Sequence, residues 1–84
     1  MKPNILIYTK HGCPYCNNAK IFLRDKNLEF TEIKVEEEMS KTEEMKLKQN
    51  WKTLPMIFVN DHFIGGYSDM QELHKKGEFE KLLN

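Results

Sequence analysis

Four residues, Cys13-Pro14-Tyr15-Cys16, stand between a short apolar run and a longer amphipathic one. On the near side, Asn4 to Tyr8 carries Ile5-Leu6-Ile7-Tyr8, apolar on both faces, which reads as a buried strand. On the far side, Pro14 holds the position favoured at a helix start. Tyr15 to Lys26 then sets Cys16, Ala19, Phe22 and Leu23 on one helical stripe. Leu28 to Val35 alternates apolar and polar residues, with one slip at Thr31-Glu32, and predicts a second strand. Strand, helix and strand within so short a stretch require a parallel pair joined by a right-handed crossover.

The remaining chain continues the pattern. Ser40-Lys41-Thr42-Glu43 matches a capping box and predicts a helix from Ser40 to Asn50, thinly apolar through Met45 and Leu47. Met56-Ile57-Phe58-Val59 and His62-Phe63-Ile64, separated by Asn60-Asp61, predict a β-hairpin closed before Gly65-Gly66. Ser68-Asp69-Met70-Gln71 is a second capping-box match and opens a helix to Lys76 that Gly77 stops; Glu78 to Leu83 then docks through Phe79, Leu82 and Leu83. The order β-α-β-α-β-β-α describes an α/β fold, a small mixed sheet with helices on both faces.

Composition narrows the partners. Thirteen basic and thirteen acidic residues cancel among 84, so no surplus positive field exists to hold nucleic acid or an anionic membrane surface. Ile5 to Tyr8 is too short for a signal-peptide core or a membrane span, and a cytoplasmic monomer is expected. A chain of this length has room for one domain over residues 1–84.

Two cysteines are too few for a secreted disulfide scaffold, and a bridge closing so small a loop removes little entropy from the unfolded chain. Redox chemistry or a metal are the functional alternatives. For zinc, His11, Cys13 and Cys16 offer three ligands, but His62 and His74 are isolated and no second pair follows. For redox chemistry the spacing fits well. A helix N-terminus stabilises the thiolate of Cys13, Cys16 lies one turn inward on the same face, and Lys10 adds positive charge nearby. Cys13 then attacks a disulfide and Cys16 attacks the mixed disulfide that results.

Three blocks carry a wider resemblance: Tyr8-Thr9-Lys10-His11-Gly12-Cys13-Pro14-Tyr15-Cys16, Thr53-Leu54-Pro55, and Gly65-Gly66-Tyr67-Ser68-Asp69. In this order and spacing the chain resembles the dithiol glutaredoxins over essentially its whole length. The resemblance implies a thioredoxin-like fold with a four-stranded mixed sheet. It also implies glutathione-dependent reduction of glutathione mixed disulfides and protein disulfides, with glutathione as reductant and no permanently bound cofactor. Cys13 matches the nucleophile and Cys16 the resolving cysteine. Lys10 matches the residue for the glycyl carboxylate of glutathione, and Leu54 the backbone contact to its cysteine, beside Thr53 and a cis Pro55. Gly66, Ser68 and Asp69 match the site for the γ-glutamyl end, where helix N–H groups take its carboxylate and the Asp69 side chain its ammonium. Tyr15, either a solvent-facing aromatic or one wall of the substrate groove, is counted with these residues as glutathione-binding.

Departures from the family pattern are few. Leu54 replaces a common valine, Tyr67 stands where many members have a further cysteine, and Trp51-Lys52-Thr53 is only faintly similar to the Trp-Pro-Thr of the single-cysteine subclass. Two other functions remain open. One is a carrier of a two-iron, two-sulfur cluster bridged between two chains, against which Pro14 argues. The other is a thioredoxin-type reductase, which has no use for the γ-glutamyl residues. His11 reads as an exposed loop residue, Trp51 as a packing residue, and Glu36-Glu37-Glu38 as a solvated face beside a helix start.

Overall fold

The computed structural model describes residues 3–83. Its elements are β1 (Ile5–Thr9), α1 (Pro14–Asp25), β2 (Thr31–Lys34), α2 (Met39–Gln49), β3 (Met56–Val59), β4 (His62–Gly65), α3 (Tyr67–Lys75) and α4 (Glu78–Leu82). The strands form one sheet in the order β2-β1-β3-β4. β1 runs parallel to β2 and antiparallel to β3, and β3 pairs antiparallel with β4. The fold is therefore the expected four-stranded mixed sheet, with the final helical region split in two at Gly77.

Strand pleating divides the core in two. Opposed residues Ile5–Val59 and Ile7–Ile57 point to one face, where Ala19, Leu23, Met70 and Phe79 from α1, α3 and α4 cover them. Leu6–Phe58 and Tyr8–Met56 point to the other face and meet Met45 of α2 together with Trp51 and Phe63. β1 and β3 carry apolar residues on both sides because both of their faces are covered.

The hairpin forms as its sequence predicts. Asn60 and Asp61 adopt φ 49° and 71°, and Val59 faces His62, the geometry of a two-residue type I′ turn. Three boundaries differ from expectation. β2 begins at Thr31 rather than Leu28, because α1 ends in a Schellman motif: Asn27 is left-handed (φ 59°), its N–H bonds Arg24 O, and Leu28 N–H bonds Leu23 O at 3.0 Å. Leu28 and Phe30 pack on the core from that loop without pairing in the strand.

α2 begins at Met39, and Glu38 is its N-cap without a side-chain bond, so the box expected at Ser40 does not form. The N–H groups of Glu37 and Glu38 turn back onto Lys34 O, starting the helix early. Thr42, fully buried, donates its hydroxyl to Glu38 O at 2.8 Å. α3 likewise starts early, at Tyr67, with Gly66 as N-cap two residues before the expected Ser68.

One carboxylate joins three helices at the end of the sheet away from the cysteines. Glu80 Oε2 accepts from Lys26 Nζ at 3.0 Å and approaches His74 Nδ1 at 2.7 Å, linking the end of α1 to α3 and α4. The Lys26 hydrogen bond, followed by that of His74, holds the Glu80 carboxyl from its ordinary 4.5 down to about 2. A depressed carboxyl stabilises the fold above its unfolded pKa and loses that contribution as pH falls towards the folded value. Glu80→Gln should therefore cost about 1 kcal/mol or less near neutrality, since the side chain is 41% exposed. In urea titrations the difference from the parent protein should shrink between pH 4.5 and 2. A difference that stays constant across that window would contradict the assignment.

Candidate redox-active site

The site is built at the C-terminal end of β1. β1 ends at Thr9, Gly12 turns the chain at φ 71°, and Cys13 becomes the N-cap of α1 with extended backbone. Pro14 follows at the first helical position, as the sequence predicts. Cys13 and Cys16 are joined as a disulfide with their Cα atoms 5.2 Å apart. Cys13 Sγ also accepts the Cys16 backbone N–H at 3.1 Å, so sulfur does the work usually left to a capping oxygen. Cys13 is 5% exposed and Cys16 1%, which leaves the Cys13 sulfur as the accessible one.

A groove of about 650 Å³ opens over Cys13. Lys10, Cys13 and Tyr15 line it from the β1–α1 loop and the start of α1, and Thr53, Leu54 and Pro55 from the loop before β3. Gly66, Ser68 and Asp69 complete it from the start of α3, while Cys16 lies beneath. Residues far apart in sequence but singled out above thus share one surface. The Leu54–Pro55 peptide bond is cis, and Leu54 O lies 3.9 Å from Cys13 Sγ.

Asp69 has a structural task that its sequence position only half reveals. Its Oδ2 accepts the Gly66 N–H at 2.9 Å, so Asp69, three residues into α3, completes the cap that the sequence pattern assigns to Ser68 and Gln71. Gly65 is required beside it: φ is 105°, and a Cβ there would stand 2.5 Å from Asp69 Oδ2.

Two polar contacts brace the loop that leads from β1 to Cys13. Glu32 accepts from the Thr9 hydroxyl at 2.6 Å and from Lys20 Nζ at 2.9 Å. The Thr9 bond first, then Lys20, holds its carboxyl below the usual range. Glu32 lies opposite Ile7 on the α1 side of the sheet, which explains the slip in the alternation at Thr31-Glu32. The His11 N–H donates to Glu36 Oε2 at 2.9 Å, and this bond is the main cause of the lowered Glu36 carboxyl. Glu36 is thus more than one member of a solvated acidic run. His11 itself is exposed, as expected.

Sequence reading missed Lys46 as a groove residue. Lys46 sits in the last turn of α2, where the Trp51 N–H returns to its carbonyl at 2.9 Å, and only the tertiary crossing of α2 brings it to the groove. Trp51 packs edge-on against Phe63 at 5.2 Å and also borders the groove, so it is a packing residue with a face on the site.

A Cys-x-x-Cys bridge capping a helix beside a cis-proline loop, on a mixed four-stranded sheet, defines a thiol–disulfide redox protein of thioredoxin-like fold. The Glutaredoxin family profile matches residues 5–64. Glutaredoxin 3 of Escherichia coli strain K12 is 39% identical over 80 residues, covering 95% of this chain and 96% of that protein. The solution structure of glutaredoxin from Brucella melitensis superposes with TM-score 0.84 at 35% identity, over 98% of this chain and 89% of that one. A buckwheat glutaredoxin–glutathione complex superposes with TM-score 0.88 at 21% identity, over 94% of this chain and 74% of that one, a likeness of fold. The chain belongs to the glutaredoxin family, and its activity is thiol–disulfide exchange.

Gly65→Ala tests the geometry around Asp69. The added methyl forces the Asp69 carboxylate off Gly66 and strains a positive-φ residue, so stability should fall by about 1–3 kcal/mol in denaturant titration. An unchanged midpoint would mean that the Asp69–Gly66 contact contributes nothing.

Proposed function

We infer that this protein reduces glutathione mixed disulfides and protein disulfides with glutathione as the electron donor. The observation that carries this reading is the groove: one accessible sulfur flanked by cationic Lys10 on one side and by the α3 N-terminus with Asp69 on the other. Glutathione is a tripeptide with a carboxylate at its glycyl end and a carboxylate plus ammonium at its γ-glutamyl end. Lys10, with Lys52 and Lys46 nearby, suits the first. The free N–H groups at the start of α3 suit the second carboxylate, and Asp69 Oδ1 suits the ammonium. Thr53 and the Leu54 backbone, before Pro55, suit the cysteinyl portion between them, and Gly66 keeps that surface low.

The chemistry follows from the cap. When the bridge is reduced, the Cys16 N–H and the helix field stabilise negative charge on Cys13 Sγ, which makes it the attacking thiolate. Attack on a glutathionylated protein breaks its S–S bond, leaves glutathione on Cys13 and releases the protein thiolate, which takes a proton from solvent. A second glutathione thiolate then attacks the glutathione sulfur, forming oxidised glutathione and restoring Cys13. On a protein disulfide, Cys16 attacks Cys13 Sγ instead, and two glutathiones later reopen the Cys13–Cys16 bond. Burial of Cys16 beneath Cys13 supports the division into an attacking and a resolving sulfur. Cytoplasmic location, a monomeric state and a single domain belong to the same proposal.

The test is NADPH consumption coupled through glutathione reductase on a glutathionylated peptide. Cys13→Ser should abolish turnover on every substrate. Cys16→Ser should spare the glutathionylated peptide and lose protein-disulfide reduction. Lys10→Ala should raise KM for glutathione roughly fivefold, about 1 kcal/mol, with kcat less affected. Full turnover by Cys13→Ser would sink the mechanism. A folded, reduced parent protein inactive with glutathione would sink the assigned reductant.

A further inference from the structure

Three exposed residues, Lys10, His11 and Gly12, stand between buried Thr9 and buried Cys13. Packing therefore contributes little to fixing the turn that carries β1 into α1. At Gly12, where φ is 71°, a Cβ would meet nothing within 4 Å. Hydrogen bonds fix the turn instead, and they fall on either side of Lys10. The Thr9 carbonyl accepts the Val35 N–H at 2.8 Å, and the His11 N–H donates to Glu36 Oε2 at 2.9 Å. Two consecutive residues after β2 thus pin the backbone before and after Lys10, which borders the groove over Cys13. Of these two bonds only the second depends on a side chain of that segment, so a substitution at Glu36 can remove it.

We propose that Glu36 is a positioning residue for thiol–disulfide exchange: by holding the His11 N–H it keeps Lys10 at the groove, and Lys10 in turn favours the Cys13 thiolate. The proposal rests on Cys13 being the attacking sulfur and adds a residue that tunes it. A carboxylate acting through its own charge disfavours a nearby thiolate, whereas this carboxylate, acting through the turn, favours it. Charge and position therefore predict opposite effects when Glu36 is removed. The other charged groups at the groove, Lys46 and Lys52 across it and Asp69 on α3, belong to other elements and are untouched by the substitution. On the far side of the turn Glu36 faces His11 and Lys34, with Lys20 and Glu32 beyond.

The test leaves glutathione out, so its result is separable from the choice of reductant. Pre-reduced protein is treated with iodoacetamide across the acid and neutral pH range. The Cys13 thiol gives its proton to solvent, and the thiolate displaces iodide to form a thioether. Mass spectrometry assigns each adduct to Cys13 or Cys16. Glu36→Ala should move the midpoint of the Cys13 profile upward by roughly half to one pH unit, slowing alkylation about two- to fivefold at the parent's midpoint. Glu36→Gln keeps an oxygen acceptor for the N–H and should react at least as fast as the parent. His11→Ala keeps the backbone donor and should match the parent. Lys10→Ala should be slowed as Glu36→Ala is, and the double variant no further, because both act through one cation. Alkylation of Glu36→Ala at the parent rate or faster overturns the proposal, since charge alone gives that result. A Gln variant slowed as much as the Ala variant overturns it, and so does full additivity with Lys10→Ala. A lower denaturation midpoint with an unmoved pH profile assigns Glu36 a purely structural role and overturns it as well. Alkylation of Cys16 in place of Cys13 overturns the attacking-sulfur reading on which the proposal stands, whatever the Glu36 variants do.

Discussion

The hydrogen bond from the Cys16 N–H to Cys13 Sγ sets the terms for most of the molecule. A helix start leaves its first backbone N–H groups without partners inside the helix, and in most helices an oxygen satisfies one of them. Here the acceptor is a sulfur of the Cys13–Cys16 pair. The position therefore has to be an N-cap, with extended backbone at Cys13 and Pro14 next to fix the first turn. It also has to be delivered by a strand that stays still, which β1 provides because it is flanked by β2 and β3 and covered on both faces. A neutral disulfide sulfur is a weak acceptor, whereas a thiolate is a strong one. The same bond therefore favours a charged sulfur over a neutral one.

Holding the cap still takes polar contacts as well as packing. Thr9 is 2% exposed, and a buried hydroxyl needs a partner; it finds Glu32, which Lys20 of α1 also grips. That three-residue link ties β1, β2 and α1 together just before the chain turns to the cysteines. Glu36 catches the His11 N–H from the next loop, and the Val35 N–H bonds Thr9 O at 2.8 Å. The turn between β1 and α1 is thus braced by the segment following the parallel partner strand. The opposite end of the sheet uses a charged junction at Glu80 for a similar purpose, between helices rather than loops.

Much of this was legible in the sequence where local chemistry decides. The β-α-β opening follows from Ile5 to Tyr8, Pro14 and the helical stripe, and Asn60-Asp61 supplies a hairpin turn because both residues tolerate positive φ. The groove residues were legible through three motif blocks, and the fold brings them together. What escaped was set by partners distant in sequence. Ser40 and Glu43 match a capping box, yet the turn onto Lys34 O starts α2 earlier, with Thr42 buried in its first turn. Asp69 matches a helix start, but its bond to Gly66 follows from the closeness of Gly65. Glu32 disturbed the strand pattern, and the cause, Lys20 across the face, lies in another element. Lys46 reaches the groove only because α2 packs across the second face.

These elements give the groove two unlike sides around one sulfur. The polar side is built from Lys10, the helix start of α3 and Asp69. The aromatic side is built from Tyr15 and Tyr67, whose rings stack with centroids 6.2 Å apart. Both sides begin at helix N-termini, α1 for the sulfur and Tyr15, α3 for Tyr67 and Asp69. The Tyr15–Tyr67 stack joins those two starts, so a change in the orientation of either helix alters nucleophile, polar side and aromatic side together.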